Sequence, residues 1–125
     1  MTNHVPLSKN ATSRSVVSRL DDKFAFVPAA FAAINRIQRS RAGQGYGPVV
    51  LRLGTSPLSK GKRPNYRIDD AETGRCIEVI DGNTHKEWVG GGANDKGDWS
   101  DAWMTHADVA DLLREIRTEE LPGRR

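Results

Sequence analysis

Two strand-like runs, Asn65–Asp70 and Arg75–Ile80, are separated only by Ala71-Glu-Thr-Gly74. Strands joined by so few residues can pair only as an antiparallel hairpin, because a parallel pair needs a crossover of a dozen residues or more. This linker constrains the fold more than any other feature. The pattern continues on both sides. Pro48-Val-Val-Leu-Arg-Leu-Gly54 places Val49, Leu51 and Leu53 on one face and Arg52 on the other. Asp81-Gly-Asn-Thr84 is a second turn signal, and His85–Val89 follows as a fourth strand.

Helical periodicity flanks these runs. Pro28–Arg41 places Ala30, Phe31, Ala33, Ile34 and Ile37 on one side and Arg36 and Arg39 on the other, with Pro28 in the first turn and Gly43 ending the helix. Val109, Leu112, Leu113 and Ile116 lie at i, i+3, i+4 and i+7, which predicts a helix over about 106–119. Thr105 and Asp108 have the spacing of a capping box at its start. Val16, Val17 and Leu20 predict a shorter helix over about 13–22. The fold class that follows is α+β: an antiparallel meander of about four strands, flanked by a helix in the N-terminal half and a C-terminal helix. Residues 15–121 form the expected single domain, between a flexible arm (1–14) and a flexible tail (122–125).

Length permits this, since 125 residues can bury a sizeable core without staples. Cys76 is the sole cysteine, so no intrachain disulfide exists, which fits a reducing compartment. MTNHVPLSKNATSRS has no apolar run that would make it a secretory signal, and no stretch approaches the length of a membrane span. The expected location is the cytoplasm, away from membranes.

Charge is divided along the chain. Residues 1–22 carry +1, 23–68 carry +9 with no acid, and 69–125 carry −7. The acid-free span holds Lys23, Arg36, Arg39, Arg41, Arg52, Lys60, Lys62, Arg63 and Arg67. It predicts an anion-seeking surface, unless the fold lays the acidic segment beside it and cancels the charge. Arg36, Arg39, Arg41, Arg52, Lys60, Lys62, Arg63 and Arg67 are the candidate contacts to nucleic acid or a nucleoprotein complex, with Tyr46 and Tyr66 as stacking faces.

The tryptophans all lie between positions 88 and 103. Trp88, Trp99 and Trp103 are candidate protein contacts, since tryptophan is enriched at interface hot spots. The four-residue spacing of Trp99 and Trp103, after Asp98 as a cap, predicts a short helix that packs both rings into the domain. With the tryptophans as contacts instead, the alternative is a protein-binding inhibitor or accessory factor of the phage or mobile-element type. Self-association of the basic and acidic faces would give a homo-oligomer.

Chemistry is sparse. Gly43-Gln-Gly-Tyr-Gly47 follows a helix and precedes a strand, the reverse of a dinucleotide site, and Gly54–Arg63 has the wrong spacing for a P-loop. His4, His85, His106 and Cys76 show no paired metal-ligand spacing. Asn94, Asp95, Asp98 and Asp101 lack the alternation and closing Glu of a calcium loop. Asp69 or Asp70 with Glu78 lacks the lysine that would complete a nuclease pattern, since that position is Ile80. No catalytic residue, metal or cofactor is assigned, and the expectation is a non-enzymatic binding protein.

Overall fold

The computed structural model describes residues 8–9, 11–57, 61–90 and 96–120. The chain runs β1 (Ser8–Lys9), α1 (Ala11–Ser18), α2 (Lys23–Gly43), β2 (Val49–Thr55), β3 (Asn65–Asp70), β4 (Cys76–Ile80), β5 (Glu87–Val89), β6 (Asp98–Trp99), β7 (Ala102–Thr105) and α3 (His106–Glu120). The expected α+β class is found. The meander β2-β3-β4-β5 is antiparallel throughout. It is widened beyond β2 by β7, and the sheet order is β1-β7-β2-β3-β4-β5. Residues 1–7 of the expected arm and the tail 122–125 lie outside the described residues, while Ser8–Lys9 and Ala11–Arg14 enter β1 and α1.

Strand alternation sorts the sheet into two faces. Val49, Leu51 and Leu53 of β2 share one face with Tyr66 and Ile68 of β3, Ile80 of β4 and Met104 of β7. All three helices pack there. Val17 of α1, Phe26, Val27, Ala30, Ala33, Ile34 and Ile37 of α2, and Val109, Leu112, Leu113 and Ile116 of α3 complete one core. Phe26 meets Tyr66 edge-on at 5.0 Å between ring centroids. His106 Nε2 and Asn35 Oδ1, 2.9 Å apart, tie the start of α3 to α2.

Three local readings are corrected. Helix α2 starts at Lys23, so Pro28 is an interior residue. The carbonyl that Pro28 leaves unbonded belongs to Phe24 in the first turn, an exposed residue, and the buried Phe26 and Val27 hold that turn in place. Helix α1 lies slightly earlier than 13–22. The segment after Asp98 is extended: Asp98 and Trp99 pair with Thr55 and Gly54, and Met104 and Thr105 pair with Leu51 and Val50. A four-residue spacing is even as well as helical, so it also suits two residues on one face of extended chain. Here the open edge of β2 wins, because it offers backbone partners that a single isolated turn lacks.

Candidate functional site

The basic span is met by acids in the fold. Strand β3 straddles the charge boundary, so Asp69 and Asp70 come beside the arginines of β2, β3 and α2. Arg52 Nε and Nη2 donate to Asp69 Oδ2 at 3.0 and 2.7 Å, and Arg67 Nε donates to Asp69 Oδ1 at 2.6 Å. Arg41 pairs with Asp70. Helix α2 lies against the acidic β4–β5 edge, where Arg36 reaches Glu78 at 2.8 Å and Glu87 at 2.6 Å. Glu78, by its hydrogen bond, is the main reason the Arg36 guanidinium is held more firmly charged than usual. Arg63 pairs with Asp22 and Lys23 with Glu119.

Of the candidate contacts, then, Arg36, Arg41, Arg52, Arg63 and Arg67 are each bound to a carboxylate of the same chain. Arg39 and Lys62 are exposed and make no ion pair among the described residues. Lys60 lies outside them. Nor do the acids converge on a metal. Asp69 and Glu78 stand on opposite faces of the sheet, and among the described residues no three His, Cys, Asp or Glu side chains gather.

The helix-free face of the sheet carries the Arg52–Asp69–Arg67 network and the tryptophans. Trp88 is level with Val79, Trp99 is level with Gly54, and Trp103 precedes the inward Met104. All three are half-buried. The Arg67 guanidinium lies 6.0 Å from the Trp99 ring centroid. Gly54 is the seat of that ring: a Cβ there would stand 2.7 Å from it and 2.3 Å from the Asp98 carbonyl oxygen. The centre of this face is already covered, since Asn65, Val79 and Asp69 are fully buried.

The other end of the sheet is open. A cleft of about 520 Å³ lies between the turn after α2, the β3–β4 hairpin and the end of β5. Arg41, Tyr46, Glu72, Arg75, Ile77 and Val89 are among its walls. The Arg41 guanidinium rests 4.4 Å from the Tyr46 ring centroid. Glu72 lies against Gly47, where its carboxylate takes the space a Cβ would need. Asp70 accepts from the Glu72 and Thr73 N–H groups at 2.8 and 3.0 Å. The Thr73 bond above all, then Glu72 and Arg41, holds its carboxyl below the ordinary range against the cost of burial.

Sequence reading named Arg41 and Tyr46 but missed Glu72, Arg75 and Val89 as their neighbours. The hairpin turn marked that Glu72 and Arg75 sit at a loop tip, and no local signal says which loop lies opposite. Tyr66 has no stacking face to offer, since it is 1% exposed in the core, where burial above all, with Glu87, Glu78 and Asp81 adding, pushes its phenol up. Comparison with protein families, curated proteins and solved structures finds no match to this chain.

Proposed function

We propose that this chain is a non-enzymatic binding domain whose partner is a protein, held at the cleft between Tyr46 and Val89, in the manner of an inhibitor or accessory factor. One observation carries the reading. Tyr46 is 54% and Val89 82% exposed, and both line the same cleft. Single exposed apolar residues are ordinary, whereas two that face one cavity make a surface that gains by being covered. Aromatic anchors beside a charged rim are also the usual anatomy of a protein interface. The pairing of five candidate cations with internal acids weighs the same way, because a paired arginine offers a polyanion little net attraction.

Nucleic acid, or a nucleoprotein complex, is the second reading. Its support is Arg39 and Lys62, exposed and without ion pairs among the described residues, together with the exposed ring of Tyr46.

Affinity capture from a lysate of the source cell, after nuclease digestion, separates the two. The wild-type chain is expected to retain a specific protein that a Tyr46→Ser/Val89→Ser double variant loses. Equal retention by the variant, or loss of everything on digestion, overturns the protein reading.

A further inference from the structure

Pairing within the chain removes the long division of charge as a basis for self-association, since Arg36, Arg41, Arg52, Arg63 and Arg67 already hold carboxylates of their own chain. A shorter division survives. Glu72 and Arg75 stand three residues apart in the β3–β4 hairpin turn, where every residue from 71 to 75 is exposed. Among the described residues neither makes an ion pair, with the other or with any third group. The turn that presents them is fixed by its own bonds. Asp70 accepts the Glu72 and Thr73 N–H groups, Thr73 Oγ1 accepts the Arg75 N–H at 3.2 Å, and Gly74 takes the left-handed conformation with φ +76°.

This turn is one wall of the cleft that also holds the exposed Tyr46 and Val89. Arg41 and Asp70 close on each other, so Glu72 and Arg75 are the charges left to a partner, one of each sign. Such a cleft is neutral toward an anion and toward a cation alike. Toward a copy of itself it is not. A two-fold interface lays one patch upon itself, so that each residue meets another and is met in return. A patch of a single sign repels its copy. A patch with an anion beside a cation attracts it when the axis passes between the two.

We infer that two copies of this chain join across the cleft about a two-fold axis at the β3–β4 hairpin, with Glu72 of each copy paired to Arg75 of the other and the Tyr46 and Val89 side chains covered between them. This rests on the protein-binding reading and names its partner. Exposed ion pairs contribute little affinity each, so the charges set orientation and the covered apolar groups hold the dimer.

The test is sedimentation equilibrium of the full chain from micromolar to millimolar concentration, where the wild type is expected to form a reversible dimer. Glu72→Arg and Arg75→Glu each turn both reciprocal pairs into like-charge contacts, and each is expected to weaken the dimer about ten- to thirtyfold. The Glu72→Arg/Arg75→Glu double variant is expected to recover it. An equimolar mixture of the two single variants is expected to form a mixed dimer, a rescue that misfolding of either variant could not produce. Amide spectra of each 15N-labelled variant show that it is folded. A wild type that stays monomeric at millimolar concentration, single variants that dimerise as the wild type does, or a mixture that fails to associate overturns the inference. If the wild type is monomeric while the Tyr46→Ser/Val89→Ser variant still loses its captured protein, the second copy falls as partner and the protein reading stands. If that variant retains the protein as well, both fall.

Discussion

Arg52 and Arg67 stand directly opposite one another on β2 and β3, two like charges in register, with the fully buried carboxylate of Asp69 bridging them. Like charges directly across a sheet destabilise it, so the arrangement depends on the acid. Asp69→Asn keeps the shape and removes the charge, leaving two mostly buried guanidinium groups uncompensated. It is expected to cost about 3–5 kcal/mol in urea denaturation. Arg52→Met, which leaves the Arg67–Asp69 pair intact, is expected to cost clearly less. Equal costs would show that the network does not act through Asp69.

The start of α3 is closed by a reciprocal cap. Thr105 Oγ1 accepts the Asp108 N–H at 3.1 Å, and Asp108 Oδ2 accepts the Thr105 N–H at 2.9 Å. Thr105→Ala should lower stability by about 1 kcal/mol and Thr105→Ser by much less. Denaturation midpoints at constant m-value measure both.

Gly54 admits Trp99 to the helix-free face. In Gly54→Ala the new methyl meets the Asp98 carbonyl, a backbone atom that moves only with its strand. A loss of about 1–3 kcal/mol follows from such overpacking, together with a red shift of tryptophan emission as Trp99 is displaced. Unchanged emission would place Trp99 elsewhere in solution.

Acid should undermine both hairpin turns. Asp70 and Asp81 have carboxyl groups held below their ordinary values. For Asp70 the Thr73 N–H is the main cause. For Asp81 burial opposes the shift and is outweighed by bonds from the Asn83 N–H, the Asn83 amide and the Thr84 hydroxyl. A lowered folded-state value means that the stabilisation is complete above the unfolded value of about 3.9 and is lost as pH falls through the folded one. Stability is therefore expected to be flat in this contribution above about pH 5 and to fall below about pH 4. Asp70→Asn should flatten that fall, which melting curves across the range will show.

Salt dependence reports how many cations remain available. Were Arg39, Lys62 and Arg75 the only phosphate contacts, the logarithmic slope of nucleic-acid affinity against salt would be about −2 to −3. Eight contacts would give about −6 to −7. A measured slope in the steeper range would mean that the internal ion pairs open on binding, and would favour nucleic acid over the protein cleft.

Local order was legible in the chain because local order is written in short spacings. The stripe Val109, Leu112, Leu113 and Ile116, the Thr105–Asp108 cap, the alternation of Val49, Leu51 and Leu53, and the hairpin linker at 71–74 each depend on residues a few positions apart. Periodicity could not decide Trp99 and Trp103, because four residues satisfy a helical turn and a strand alike; the free edge of β2 decided them. Nor could the acid-free span reveal its own neutralisation. Whether Arg52 meets Asp69, or Arg36 meets Glu78 and Glu87, is a matter of strand register and of which sheet edge α2 covers. Those contacts join residues far apart in sequence, and their geometry exists only once the core has closed. The same holds for the cleft, where Tyr46 of the turn after α2, Arg75 of the β3–β4 hairpin and Val89 at the end of β5 meet only at the end of the sheet. By itself the sequence determined helices α2 and α3, the β2–β5 meander and the excess of positive charge in its middle; tertiary packing added β7 beside β2 and determined which of those charges face solvent, because backbone pairing and Coulomb attraction depend on distance in space and not along the chain.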